Sequence, residues 1–216
     1  MLSVIIPTAY ESETVLFGQA VDCLSKYQHV ELICIDKSEA KTRAERLNLG
    51  FERARGSMIL FYHPRSFVDP KGIEYLIEHS EKVLWGAFTH QFDQSHFLLK
   101  FTSWYSNKIR GQGRGIFYLD HCIFFHRSLR KKPIPPVEIF EDTVLSAQLR
   151  GQQSPILLPF KSTTSALRFT KNGIWRQAIL NQIMKIGFYF NASPQLLNKI
   201  YERGLNLNDP KKGTKV

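Results

Sequence analysis

The sequence predicts an α/β fold in which helices cover both faces of a mostly parallel sheet. Continuous apolar runs, LSVIIPT, HVELICID and SMILFY, recur in the first part of the chain. Segments with apolar residues at helical spacing separate these runs. Because both faces of such strands are apolar, both must be covered, and crossover helices do this in a parallel sheet.

The first two strands flank a helix. LSVIIPT ends near a proline and predicts a buried strand. Ser12 is placed to cap the following helix. The apolar face of that helix consists of Phe17, Ala20, Val21 and Leu24. HVELICID predicts a second buried strand, which ends at Asp36 and has Cys34 in the core.

A basic helix and a third strand follow. KTRAERLNLGFERARG predicts a helix that ends at Gly56. Its apolar face consists of Ala44, Leu47, Phe51 and Ala54. SMILFY predicts the third buried strand. Asp69 and Pro70 then begin another helix, with aspartate as the cap and proline at the first helical position.

The second half of the chain is less regular. LWGAFTHQF predicts a strand, SHFLLKFTSWYSNKI an aromatic-rich helix and GQGRG a loop. GIFYLDHCIFFHRSL predicts two short strands or one kinked strand. EDTVLSAQLRG predicts a helix and PILLPF a last strand. IWRQAILNQIMKIGFYF and PQLLNKIYERG predict two more helices before a polar tail.

The composition indicates a globular protein with an anionic partner. The chain has 216 residues, 43% of them hydrophobic, which is enough for one substantial core. The net charge of +10 favours nucleic acid, a phosphorylated small molecule or an acidic membrane surface as partner. Three cysteines without a C-x-x-C pair disfavour zinc and disulfides. No apolar run approaches the ~20 residues that span a bilayer, and we expect no secretory signal.

Polar and charged residues follow three of the predicted strands where the strands end. Pro7 and Thr8 follow the first strand, Asp36 the second, and His63 and Arg65 the third. The carboxyl ends of parallel strands meet at one edge of the sheet, where α/β proteins bind ligands. We therefore expect these residues to line a crevice. Asp36 either accepts hydrogen bonds from a ribose or base there, or is a solvated strand-end or capping residue.

Two further segments have competing interpretations. Glu141 and Asp142 open a helix, so favourable interaction with the helix dipole explains them and is preferred, on position alone, to a general-base role. GQGRG is similar to a phosphate-binding loop, but a predicted helix precedes it and a strand follows it. Dinucleotide and P-loop sites need the reverse order, which favours a flexible loop.

Several stretches together resemble a known enzyme family. VIIPTAYES, TRAERLNLGFERARGSMILFYH, GAFTHQFD, EIFEDTVLSAQLRG and RFTKNGIWRQAILNQIM occur in the order and spacing of family-2 glycosyltransferases of the GT-A fold. Within that family the chain is most similar to the bacterial subgroup named for arsenosugar biosynthesis. The likeness extends from about Leu2 to Tyr201. It implies one GT-A domain over residues 1–204, followed by a polar tail over residues 205–216.

The resemblance implies transfer of a sugar from a nucleotide-sugar donor, with a UDP-sugar favoured, to an acceptor hydroxyl, usually with inversion. Residues 1–85 would bind the nucleotide and residues 86–204 the acceptor. The donor-binding residues would include Pro7, Thr8, Glu11, Asp36 and Arg43, with Asp36 at the base and Arg43 at the diphosphate. Asp120 would lie near the sugar, and Asp142 would be the base that accepts the acceptor's proton.

The stretch HPRS departs from the family pattern, which has a metal-binding aspartate at this position. His63 and Arg65 would bind the donor here instead. A divalent cation held by one aspartate presents a net +1 to a diphosphate, and arginine presents the same charge with two parallel hydrogen bonds. We therefore expect metal-independent anion binding, with bound Mn²⁺ or Mg²⁺ as the alternative. The rival hypothesis is a GT-A protein that has lost activity and serves as a binding or regulatory module.

Charge also bears on the partners. The basic second half and the helix after Trp175 favour an acidic or lipid-linked acceptor and a peripheral contact with a membrane. A nucleic-acid partner is disfavoured because the chain shows no recognisable nucleic-acid-binding motif. The expected location is the cytoplasm, at the inner face of the membrane where that contact is made.

Overall fold

A computed structural model describes residues 1–8 and 15–202 of the chain. The strands are β1 (Leu2–Pro7), β2 (Val30–Ile35), β3 (Met58–Phe61), β4 (Ser66–Val68), β5 (Trp85–Phe92), β6 (Ile123–His126) and β7 (Ile156–Thr164). They form one sheet in the order β2-β1-β3-β6-β5-β7-β4. Only β6 and β4 run against the other strands. Glu11, Ser12 and the predicted tail lie outside the described residues.

Eight α-helices connect or follow the strands in the described ranges. They are α1 (Val15–Leu24), α2 (Arg43–Arg53), α3 (Pro70–Glu78), α4 (Phe97–Trp104), α5 (Glu141–Arg150), α6 (Leu167–Asn172), α7 (Ile174–Tyr189) and α8 (Pro194–Glu202). A π-helix, Tyr105–Gln112, continues α4. Asp69 caps α3 by accepting from the N–H of Lys71, and Pro70 is its first residue, as predicted.

Helices cover both faces of the sheet, which confirms the predicted fold class. Alternate residues of a strand point to opposite faces. Val4 and Ile6 of β1 therefore pack into one core with residues of α1 and α3. Ile5, between them, packs into a second core with residues of α2 and α5. Burial of both faces explains why β3, and β1 apart from Ser3, are apolar.

β2 is an edge strand, contrary to the prediction of a second buried strand. Within the described residues it pairs only with β1. Ile35 is its one fully buried residue, and Cys34, which was expected in the core, is exposed. The apolar run is as continuous as that of β1, so sequence alone does not distinguish an edge position from a central one.

Two turn predictions also need correction. α2 ends at Arg53, and Ala54 caps it in an extended conformation. A Cβ on Gly56 would lie 2.6 Å from the carbonyl oxygen of Met1, so close approach to the neighbouring strand, not helix termination, requires this glycine. GQGRG is not a loop throughout, because Gly111 and Gln112 belong to the π-helix.

The strand order determines where the site lies. β6 occupies the middle of the sheet, and β3 pairs with it in the antiparallel sense, with Phe61 opposite Ile123. The start of β6 therefore lies at the same edge as the end of β3. This brings the segment before β6, which contains Asp120, beside His63. None of the helices in the described ranges is long and apolar enough to cross a membrane.

Candidate active site

A pocket lies at this edge, beside the ends of β3 and β5 and the start of β6. α5, α6, α7 and the π-helix complete its wall. Its cavity volume is about 180 Å³. Ligand pockets usually measure ~300–1,000 Å³, so this pocket has room for a sugar-sized group, and a larger ligand would extend outward.

The pocket brings together five of the residues that the sequence analysis singled out. These are Arg43, His63, Arg65, Asp120 and Asp142. Pro7, Thr8 and Asp36 do not line it. Glu11 lies outside the described residues. The residues expected in one crevice therefore lie at two places. We call the pocket at β3 and β6 the buried end, and the ends of β1 and β2, where Thr8 is buried and Asp36 is exposed, the open end.

The HPRS segment forms a tight turn at the end of β3. The N–H of Arg65 donates to Nδ1 of His63 at 3.1 Å, and the N–H of Ser66 donates to the carbonyl of His63 at 3.0 Å. Burial lowers the pKa of His63 to about 3, and the charges of Arg65 and Arg43 act in the same direction, against Asp120. The imidazole is therefore neutral, with its proton on Nε2.

Asp120 faces this turn from the segment before β6. Its backbone carbonyl accepts hydrogen bonds from the hydroxyls of Ser162 at 2.7 Å and Thr164 at 3.2 Å. Its Oδ1 lies 3.5 Å from Nε2 of His63, and its side chain is 40% exposed. Burial acts to raise the pKa of Asp120, but His63 and the guanidinium of Arg65 outweigh it and hold that pKa below its ordinary value. Asp120 is therefore an anion that faces the pocket.

Asp142 is the second residue of α5 and is almost fully buried. Its Oδ2 accepts from the N–H of Leu119 at 2.9 Å, and its Oδ1 accepts from the N–H of Thr143 at 2.7 Å. Burial and the adjacent charge of Glu141 raise the pKa of Asp142 to about 7, against the opposing effect of Arg43. Each carboxylate oxygen has a second lone pair, so Asp142 is suited to accept a proton near neutral pH.

The start of α5 depends on an unusual residue. Phe140, which precedes the helix, has φ 65°, in the left-handed region that bulky residues rarely adopt. Its ring lies 4.5 Å from the ring of Phe188 in α7, and Met184 belongs to the same apolar cluster. Packing against α7 therefore holds the turn that directs Asp142 into the pocket.

Glu141 and Arg43 form an ion pair beside Asp142. Nε of Arg43 donates to Oε1 of Glu141, which is completely buried. Burial acts to lower the pKa of Arg43, but Glu141 and Asp142 raise it above its ordinary value. Capping alone had explained Glu141 in the sequence. No local signal reveals that its side chain binds a helix 98 residues away.

Three cations that were not predicted as site residues also line the pocket. Arg110 stacks on the ring of Tyr118 and donates to Oγ of Ser106. Burial and the charge of Arg110 lower the pKa of Lys185 to about 8. Arg168 of α6 is the third, and its charge acts to lower the pKa of His63. The π-helix turns Arg110 inward, and helical periodicity in the sequence does not predict a π-helix.

The open end of the crevice is organised locally. The N–H and the hydroxyl of Thr8 donate to the carbonyl of Ile35 at 2.8 and 3.2 Å. Oδ1 of Asp36 accepts from the N–H and the hydroxyl of Ser38 at 2.7 and 2.6 Å. These hydrogen bonds lower the pKa of the exposed Asp36 carboxyl. Asp36 is therefore an ionised strand-end residue that closes its own turn.

The HPRS turn does not fit a metal ion. His63 and Asp120 are adjacent, but the side chain of Arg65 lines the same pocket and its charge opposes a second cation there. In the part of the chain that the structure describes, no group of three or more His, Cys, Asp or Glu residues could hold a metal ion.

Comparison with known proteins identifies the fold. No protein-family model and no curated protein matches the chain. Residues 1–349 of Staphylococcus aureus TarS share the fold with a TM-score of 0.56 and 10% identity, over 100% of this chain and 75% of that chain. A complex of the same fragment with UDP-GlcNAc matches with a TM-score of 0.53 and 12% identity, over 76% of this chain and 58% of that chain. This chain covers 46% of the longer TarS structure.

A second glycosyltransferase gives a similar result. Mannosyl-3-phosphoglycerate synthase from Rubrobacter xylanophilus matches with a TM-score of 0.51 and 10% identity, over 89% of this chain and 75% of that chain. Together with the sheet order and the helices on both faces, these matches show the GT-A fold, which the resemblance had predicted.

Proposed function

We propose that the protein is an inverting family-2 glycosyltransferase that transfers a sugar from a nucleotide-sugar donor to an acceptor hydroxyl. The observation that carries the proposal is a buried carboxylate with a raised pKa, Asp142, in one pocket with Arg65 and Asp120. A base and an anion-binding group on one pocket are what displacement of a diphosphate requires. The GT-A fold supports this assignment by analogy.

Asp142 is the proposed general base. The acceptor oxygen attacks the anomeric carbon of the sugar, and its proton moves to a carboxylate oxygen of Asp142. The bond from the anomeric carbon to the diphosphate oxygen breaks, and the diphosphate leaves with the electron pair. A single displacement of this kind inverts the configuration. The hydroxyl is a poor nucleophile until such a carboxylate accepts its proton.

Arg65 is the proposed anchor of the diphosphate. It presents a permanent positive charge at the position where the family pattern has a metal-ligand aspartate. A guanidinium binds phosphate through parallel charge-assisted hydrogen bonds, so we propose that donor binding does not require a divalent metal. Asp120, whose backbone is held by hydroxyls of β7, is assigned to the hydroxyls of the transferred sugar.

The nucleotide is assigned to the open end of the crevice, in the half formed by residues 1–85. Pro7, Thr8, Asp36 and Glu11 are the residues proposed to contact it, and the UDP-GlcNAc complex of TarS favours a UDP-sugar as donor. The small volume of the pocket supports this division, because the sugar would fill the pocket while the nucleotide extends outward.

The acceptor is proposed to be acidic, and residues 86–204 to hold it. Arg110 and Lys185 lie on the pocket wall, and neither belongs to an ion pair within the described ranges. Two adjacent cations without a carboxylate partner repel each other, and an acidic group on the acceptor would relieve this repulsion.

A binding module that has lost transferase activity is the second candidate. The observation that favours it is Arg65 itself, because a metal ion would also act as a Lewis acid and arginine supplies only charge and hydrogen bonds. This candidate predicts donor or partner binding without turnover.

Calorimetric titration separates these proposals. The protein is titrated with UDP, GDP and their sugar conjugates in EDTA and then with Mn²⁺. Binding in EDTA that Mn²⁺ does not improve, and that Arg65→Gln weakens at least tenfold, supports the arginine anchor. Arg53→Gln, which removes an exposed arginine far along α2, is the matched control. Binding only with Mn²⁺ contradicts metal independence, and binding without sugar transfer supports the binding module.

A further inference from the structure

α7 has an inverted distribution of polar and apolar residues. Its fully or nearly buried residues are Gln177 and Met184. Its exposed residues include Trp175, Ile179, Ile183 and Ile186, whose side chains are 61%, 59%, 51% and 58% exposed. Their spacing of three or four residues places them on one side of the helix. Such a stripe normally faces a core, whereas here it faces outward.

α4 presents a second exposed apolar stripe next to the first. Phe97, Phe101 and Trp104 are 63%, 55% and 50% exposed and also share one side of their helix. The rings of Phe97 and Trp175 lie 5.8 Å apart, so the two stripes meet. We call the combined surface the α4–α7 face, and it consists of Phe97, Phe101, Trp104, Trp175, Ile179, Ile183 and Ile186.

The two sequence segments that contain α4 and α7 carry only positive charge. Residues 94–119 contain four Lys or Arg and no Asp or Glu, and residues 143–201 contain seven and none. By contrast, residues 1–93 contain 10 basic and 13 acidic residues, a net charge of −3. The remaining 123 residues contain 19 basic and 6 acidic residues, a net charge of +13. This charge favours an occupant that is anionic as well as apolar.

We propose that the α4–α7 face docks the protein on an anionic lipid bilayer. Trp and Phe next to aliphatic residues, with Lys and Arg around them, suit a helix that lies in the plane of the membrane interface. Basic residues near an anionic membrane attract the protein to its surface. A second copy of the chain is disfavoured, because pairing two such faces would bring like charges together. Nucleic acid is anionic but provides no apolar layer for the isoleucines.

The docking surface and the pocket share α7. Gln177, Asn181, Met184 and Lys185 line the pocket from the same helix whose other side forms the face. A helix with its side chains is ~10–12 Å across, so the pocket would lie that far from the lipid. A lipid-linked acidic acceptor would then have its lipid on the outer side of α7 and its acidic group in the pocket on the inner side. This specification of the acceptor rests on the proposed transferase function, whereas the docking itself does not.

Flotation with lipid vesicles tests the docking. The full chain is mixed with vesicles of phosphatidylcholine alone or with phosphatidylglycerol added. We expect flotation with the anionic vesicles that falls steeply as salt is raised. Ile179→Glu and Ile183→Glu should each weaken it at least tenfold, because each places a charge in the apolar layer. Leu84→Glu, at the opposite edge of the sheet and 40% exposed, is the matched control and should not change it.

Three outcomes would overturn the proposal. The first is no flotation with anionic vesicles at low salt, and the second is equal loss with Leu84→Glu. The third is a dimer in light scattering that Ile179→Glu dissociates while vesicles bind neither form, which would assign the face to a second copy. Circular dichroism confirms that each variant is folded. Asp142→Asn should float like the parent, so failure of docking and failure of the transferase proposal are separately visible.

Discussion

The two ends of the crevice hold their charged groups in different ways. At the β1–β2 end, Asp36 is exposed and its hydrogen bonds come from its own turn. At the β3–β6 end, Asp142 is bound by the segment before β6, and Glu141 beside it pairs with α2. Strand-end position therefore predicts that a residue lies near the edge of the sheet. It does not predict whether that residue joins a network of distant elements.

The pKa values of Asp36 and Asp142 shift in opposite directions because the two carboxyl groups differ in burial. Exposed Asp36 stays ionised because local donors bind it. Buried Asp142 has a raised pKa because it is removed from water beside another carboxylate. Chemistry that needs a proton acceptor near neutral pH belongs to the buried end, and four experiments test this contrast.

The largest effect is expected from Asp142→Asn. The amide still accepts the hydrogen bond from Leu119 but cannot take a proton, so kcat should fall by ~10²–10⁴. Release of nucleoside diphosphate measures turnover once a donor has been identified, and calorimetry should show unchanged donor affinity. Asp36→Asn makes the same chemical change at the open end and should leave kcat within about tenfold of the value of the parent protein. Equal losses in both variants would refute the contrast.

The second largest effect is expected from breaking the ion pair between Arg43 and Glu141. Glu141→Gln leaves the charge of Arg43 without its partner, and the free energy of unfolding should fall by ~3 kcal/mol, the lower end for a broken buried pair, since Arg43 is partly exposed. Urea denaturation measures the loss. Glu39→Gln breaks the exposed pair with Arg53 and should cost ~0–1 kcal/mol. A similar cost in the two variants would mean that burial of the first pair contributes nothing.

The pH profile gives a smaller effect. A base is active when deprotonated, so kcat/KM should fall about tenfold per pH unit below the pKa of Asp142. Because that pKa is raised from 3.8 to about 7, the fall should begin near neutrality. The same shift makes ionised Asp142 unfavourable in the fold, so its contribution to stability is present below pH 4 and is lost as the pH rises through 7. His63, neutral above about pH 3, should add no inflection there. An inflection near pH 4 would exclude Asp142 as the base.

The smallest effect is expected at the open end. Asp36→Ala should weaken binding of the UDP donor about three- to tenfold, the value of one hydrogen bond to the base or ribose. Ser38→Ala removes part of the turn around Asp36 without removing the carboxylate and serves as the control. An unchanged affinity with Asp36→Ala would show that Asp36 only closes its turn.

The sequence was sufficient for the parts of the fold that periodicity controls. In β1, β3, α2 and α3 the spacing of apolar residues in the sequence matches the residues that are buried. The residues that follow parallel strands could be assigned to one edge of the sheet. The three-residue strand β4 is too short to show a period. The edge position of β2 depends on pairing order, which an apolar run does not encode.

The site was less predictable for a related reason. Asp142, Asp120 and Arg65 came from family resemblance and from strand-end position. Lys185 and Arg110 had no signal, because their inward direction depends on α7 and a π-helix. The role of Glu141 depends on a partner 98 residues away. Local capping rules described its backbone position correctly and said nothing about its side chain.

The left-handed backbone at Phe140 makes the geometry of the site depend on packing elsewhere in the protein. That conformation costs roughly 1–2 kcal/mol in a residue with a side chain, and it persists where packing opposes its relaxation. The packing comes from Phe188 and Met184 of α7. α7 thus connects the turn that positions Asp142 with the outer surface of the protein. We therefore expect a displacement of that helix to change the orientation of the Asp142 carboxylate.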